Sequence, residues 1–183
     1  TASTLPAATV LQVGIRQRSL RRHCRLGRAT ELVFILATGL TLTLGGQATA
    51  QDRTWDAGAG TTNWLTLNNW AGSGAGRVPD TAAETAKITG TGGANQPVIE
   101  AADSVTVGST ILSGGSLTVA GTLTSPVTVS GPATLTNDGT IIGNVNTSSA
   151  SAVVNNNATL TGALTLSGGT ATNAGSISGA TTV

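Results

Sequence analysis

The chain has 183 residues, enough for about one domain, and its net charge is only +1. Charged side chains make up 9% of it, against a typical ~25%, aromatic residues 2%, and 25 positions are glycine. Disordered chains are usually rich in charge and poor in apolar residues. This one is poor in charge but well supplied with Val, Leu and Ile, which excludes a charged coil and favours a repetitive β structure.

Six of the nine basic residues, Arg16, Arg18, Arg21, Arg22, Arg25 and Arg28, precede an apolar run from Leu32 to Leu44. The run is shorter than the ~20 residues that a bilayer-spanning helix needs. With Ala48-Thr49-Ala50 as an A-x-A site, the pattern reads as a secretory signal peptide over residues 1–50. Cleavage after Ala50 makes Gln51 the first mature residue. The single His and single Cys, His23 and Cys24, fall in the removed segment. Methionine is absent, so Thr1 is read as something other than a natural start.

Residues 51–104 hold all three tryptophans, Trp55, Trp64 and Trp70, among Gly, Asn, Asp and Pro79 turn signals. The expectation is an N-terminal cap in which the indoles pack as core. Stacking on sugar rings is the alternative role for them. Asp80 and Glu84 in this turn-rich segment are expected to be solvated.

Residues 105–183 are expected to form the solenoid rungs, and a register appears from Leu117 onward. Leu117, Leu135, Val154 and Ala171 form one column at a step near 18, and Leu123, Ile141, Leu160 and Ile177 form another. Val127, Val145, Leu164 and Thr181 follow. Apolar positions alternate with Thr, Ser and Asn, the period-two signature of strands with one buried face. A fixed period with Gly and Asn at the corners marks stacked coils, because one coil cannot bury its own apolar face. The fold expected is all-β: a parallel, right-handed β-solenoid with rungs of about 18 residues. A hairpin meander or sandwich is the rival, but it gives no reason for like residues to align at that step. Asn137, Asn156 and Asn173 are expected to form an amide ladder. Gly139, Gly143, Gly175 and Gly179 shape the coil, and Ile141 points inward. The pattern reaches Val183 without a polar cap, so the chain is read as truncated at its C-terminus and as part of a longer protein.

An export signal, a Trp55-Asp56 start, Asn63-Trp64 and Asn69-Trp70, a Val78-Pro79-Asp80 turn and low-charge, Cys-free coils resemble the N-terminal part of a bacterial autotransporter passenger domain, or a related exported β-helical surface protein. The resemblance covers residues 51–183. It implies a β-helical stalk at the surface of a Gram-negative cell, or outside it, that serves adhesion, aggregation or scaffolding. The partners it implies are the export machinery and receptors or glycans on host or neighbouring cells. It also implies a C-terminal outer-membrane barrel, and no segment here matches one.

The predicted mature chain has no His or Cys, which excludes His-based triads and thiol catalysis. Its carboxylates are scattered, and beyond Ser104 only Asp138 is charged. Neither glycine pair, Gly114-Gly115 nor Gly168-Gly169, is followed by the Asp that calcium-binding coils need. Gly72 to Gly76 leads into Arg77-Val78, which is no phosphate loop. Arg53, Arg77 and Lys87 are too few for a nucleic-acid surface. No enzyme activity, cofactor, metal, nucleic acid or membrane span is expected of the mature segment. Two other readings stand beside the adhesive one: the N-terminal part of an exported carbohydrate-active β-helix enzyme, and an ice-binding solenoid built on outward Thr122, Thr124, Thr159, Thr161, Ser176 and Ser178, a pattern that Thr140 and Ile142 break.

Overall fold

The computed structural model describes residues 51–72 and 77–183. The signal-peptide positions Ala48 and Ala50 lie outside the described residues. The elements are β1 (Gln51–Trp55), a single 3-10 turn (Leu67–Asn69), β2 (Trp70–Gly72), β3 (Glu84–Thr89), β4 (Val98–Ile99), β5 (Ser104–Thr106) and β6 (Ser109–Val119). There follow β7 (Thr122–Thr124), β8 (Val127–Val129), β9 (Ala133–Asn137), β10 (Thr140–Ile142), β11 (Val145–Thr147) and β12 (Val153–Asn156). The last are β13 (Thr159–Thr161), β14 (Leu164–Leu166), β15 (Thr170–Asn173), β16 (Ser176–Ile177) and β17 (Thr181–Thr182).

These strands stack as a parallel β-solenoid whose rungs repeat at about 18 residues. Each rung turns through three short strands. One face runs β5-β7-β10-β13-β16, with every neighbouring pair parallel. A second runs from β6 through β8, β11 and β14 to β17. A third runs from β6 through β9 and β12 to β15. The eleven-residue β6 serves two faces because it bends at Gly114-Gly115: Thr110–Leu112 pair with β8 and Gly115–Val119 with β9.

The expected columns are the observed register. Leu123 pairs with Ile141, Ile141 with Leu160, and Leu160 with Ile177. Leu117, Leu135, Val154 and Ala171 align in the same way. Strand alternation sends these side chains inward, and Leu117, Leu123, Leu135, Ile141 and Leu160 are at most 2% exposed. Burying each contributes roughly 1.5–3 kcal/mol, and that is the main force holding one rung on the next. The turns are too tight for side chains. A Cβ on Gly139 would run into the carbonyl oxygen of Gly121 in the rung below, and one on Gly175 into that of Ala158. Gly143 and Gly162 also have φ of +148° and +156°, outside the range L side chains favour.

The parallel ladder reaches further back than residue 105. β3 pairs in parallel with β6, with a register shift between Ile88 and Thr89, and β1 pairs in parallel with β3. β4 pairs with the far half of β6. β2 then turns back antiparallel onto β1, with Trp55 opposite Trp70. That short reversed strand covers the edge of the N-terminal coil and stops the parallel stacking there.

Candidate functional site

The three tryptophans form one cluster. Trp55 meets Trp70 edge-on at 5.0 Å between ring centroids, and Trp64 meets Trp70 at 4.6 Å. Each indole N–H has a backbone acceptor: Trp55 donates to Asn95 O at 2.8 Å, Trp64 to Pro79 O at 3.0 Å and Trp70 to Trp64 O at 2.7 Å. Exposures are 0%, 0% and 3%. The cap reading therefore holds, and sugar stacking is corrected: no indole face is open to a ring. Pro79 of the Val-Pro-Asp turn is the acceptor that anchors Trp64.

Beside the cluster, buried Asn69 closes the loop by accepting from Ala59 N at 3.0 Å and donating to Thr61 O and Asn63 O. Below it lies a buried ion pair absent from the sequence reading. Arg53 Nε donates to Glu84 Oε1 at 2.8 Å, and Arg53 is fully buried. The other carboxylate oxygen of Glu84 accepts from Asp80 N at 3.0 Å, Thr81 N at 3.1 Å and Thr81 Oγ1 at 3.0 Å. Glu84 is thus 5% exposed instead of solvated, a second correction. Burial alone would raise its pKa. The Arg53 hydrogen bond, the Asp80 and Thr81 donors and the Arg53 charge outweigh that and leave it lowered.

Gln51, the residue expected at the mature N-terminus, is the first residue of β1. Its side-chain oxygen accepts from Arg53 Nη2 at 2.9 Å, and its backbone N donates to Ala83 O at 3.3 Å.

The Asn column forms the ladder expected of it. Asn137 Nδ2 donates to Asn156 Oδ1 and Asn156 Nδ2 to Asn173 Oδ1, both at 2.6 Å. Asn137 and Asn156 are 1% and 2% exposed. Next to the ladder, Asn157 donates to Asp138 Oδ1 at 2.8 Å on the surface. Gly179 lies where a Cβ would press on the Gly162 carbonyl.

The first face carries an outward column of hydroxyls, Ser104, Thr122, Thr140, Thr159 and Ser176, in register over five strands. A second column runs Thr106, Thr124, Ile142 and Thr161. Ser104-Val105-Thr106 begins this face and was missed from sequence. Its position 18 residues before Thr122–Thr124 is the signal that would have found it.

The remaining carboxylates make separate local contacts. Asp52 pairs with Lys87, Asp80 lies 3.8 Å from Arg77, and Asp103 accepts from Glu100 N. Among the described residues no three His, Cys, Asp or Glu side chains gather as a metal site. No helix among them is long and apolar enough to cross a membrane.

The geometry defines a class of protein, the β-solenoids. No family model, curated protein or solved structure matches the chain.

Proposed function

We propose that this chain is part of an exported, autotransporter-like surface protein, and that its work is structural and adhesive instead of catalytic. One observation carries the reading: beyond Ser104 the stacked faces present Thr, Ser and Asn with Asp138 as the single charge. A rigid stack of neutral hydroxyls and amides offers many weak hydrogen-bonding positions along its length. Summed over many rungs, such contacts suit adhesion to neutral glycans or receptors on another cell better than turnover of one substrate. Catalysis on a carbohydrate would ask for opposed carboxylates. The carboxylates here hold turns and ion pairs instead.

The test is to express the chain, leader included, in a Gram-negative host and locate it by fractionation and by protease added to whole cells. Export, together with greater adherence of the expressing cells to glycan-coated surfaces, is the expected result. Retention in the cytoplasm would sink the export reading, and export without any gain in adherence would sink the adhesive one.

The five-membered hydroxyl column favours a second reading, ice binding. Rungs repeat at ~4.8 Å. Tetrahedral water with O···O near 2.75 Å has second neighbours about 4.5 Å apart. The mismatch is about 0.3 Å per rung, small enough for side chains to absorb over five rungs. Shaping of growing ice crystals by the folded protein would support this reading, and unaltered crystal growth would exclude it.

A further inference from the structure

We propose that Asn157 is an acceptor for an N-linked sugar. The inference rests on the export reading, because the pattern Asn-x-Ser/Thr serves as an acceptor in exported chains.

Beyond Ala50 two asparagines stand in that pattern, Asn146 in Asn146-Thr147-Ser148 and Asn157 in Asn157-Ala158-Thr159. The structure separates them. Asn146 is the middle residue of β11, flanked in register by Thr128 of one neighbouring strand and Thr165 of the other. Asn157 lies between β12 and β13, where the coil turns a corner. Asn157 and Thr159 are both exposed, so the amide and the hydroxyl that the pattern requires are both open to solvent there.

The adjacent rungs leave this corner room. The ladder aligns Asn137, Asn156 and Asn173, so Asp138, Asn157 and Ala174 follow in register. Ala174 reaches no further than its methyl group. On the other side, Asp138 Oδ1 accepts one Nδ2 hydrogen of Asn157 at 2.8 Å and holds the amide in place. The second Nδ2 hydrogen is the one that a sugar replaces.

The step needs one co-reactant, a sugar activated as its pyrophosphate ester. A bond forms between Nδ2 and C1 of the sugar, and the bond from C1 to the pyrophosphate oxygen breaks. The pyrophosphate leaves with that electron pair, and the amide proton passes to a base of the transferase. Nothing is oxidised or reduced. The product keeps one N–H, so the contact with Asp138 survives. The backbone N–H of Asn157 stays on Asn137 O at 2.8 Å.

The modification suits the low charge of the rungs. Beyond Ser104 Asp138 is the single charged side chain, so neighbouring stacks hardly repel one another. A bulky, hydrated group at a corner keeps them apart without adding charge.

The experiment collects the full chain from the cells that naturally make it, separates exported from retained protein, and weighs and fragments the peptides that hold Asn146 and Asn157. The expected peptide is heavier by whole sugar units carried on Asn157, with Asn146 bare. Thr159→Ser should keep the sugar and Thr159→Ala should lose it, a difference that a purely structural role for this exposed hydroxyl would not produce. An exported chain that is bare at Asn157, that carries its sugar on Asn146 or on a hydroxyl instead, or that is equally modified in the two Thr159 variants would overturn the inference and leave export intact. A chain retained in the cytoplasm would overturn the export reading and the inference with it.

Discussion

Asn137 Nδ2 donates a hydrogen bond to the side-chain oxygen of Asn156 at 2.6 Å, nineteen residues later and one rung away. Asn156 does the same to Asn173. Its Nδ2 also lies 3.1 Å from Ser176 O. In a mostly apolar interior, each amide is satisfied by its copy and by the adjacent backbone, so the ladder ties the register of one coil to the next.

Replacing Asn156 with Ala should therefore cost more than one hydrogen bond. It leaves a donor of Asn137 without its ladder partner and Asn173 without its donor, and one unsatisfied buried group costs roughly 1–3 kcal/mol. Asn157→Ala, which removes only the exposed contact with Asp138, should fall within about 0.5 kcal/mol of the parent. Urea denaturation of both variants checks this. Equal midpoints would mean that the ladder contributes no stability.

Ile141 and Ile142 are neighbours in sequence with opposite fates, 1% and 42% exposed. Ile141→Ala should destabilise by ~2–5 kcal/mol through lost burial and a cavity. Ile142→Ala should be nearly neutral. Ile141→Asp buries an unpaired charge and is expected to abolish the β-rich circular dichroism spectrum. A folded Ile141→Asp protein would place that side chain outside the core.

Gly139→Ala tests the turn. The added methyl would meet the Gly121 carbonyl oxygen, which also accepts the backbone bond from Thr140 N at 2.8 Å. The rungs must part locally, at a cost of about 1–3 kcal/mol. Gly60, whose Cβ direction is open, is the contrast: its φ of +70° leaves only the smaller conformational penalty. Thermal melts of the two variants give the order, and a Gly60→Ala protein less stable than Gly139→Ala would contradict it.

These predictions also mark where sequence reasoning reached. Strands with one buried face alternate strictly, and stacking aligns like with like. The columns of Leu123, Leu135 and Asn137 were therefore open to reading from spacing alone. The step from Ser104–Thr106 to Thr122–Thr124 is a regular 18, but the neighbouring β3 carries a register shift and β6 bends across two faces, which hides the column on that side. The Arg53–Glu84 pair spans 31 residues and exists only because β1 lies parallel to β3, which no local pattern announces. Tryptophan identity likewise could not separate a sealed cluster from an open platform. Only the backbone acceptors Asn95, Trp64 and Pro79 decide it.

The Arg53–Glu84 pair makes the cap sensitive to acid in a definite direction. The folded Glu84 has a pKa below its ordinary 4.5. A depressed carboxylate contributes stability that is fully present above the unfolded value and lost as pH falls through the folded one. The cap should hold at neutral pH and weaken only below about 4.5, where the proton displaces the Arg53 and Thr81 bonds. Glu84→Gln keeps the shape but removes the carboxylate charge that faces buried Arg53, and it should lower stability at pH 7. It should also flatten the acid limb of the stability curve, because the titrating group is gone. Tryptophan fluorescence reads this directly, since all three indoles lie in the cap. If the parent and Glu84→Gln proteins lose fluorescence in parallel as pH falls from 5 to 3, the acid sensitivity lies elsewhere and this assignment to Glu84 is wrong.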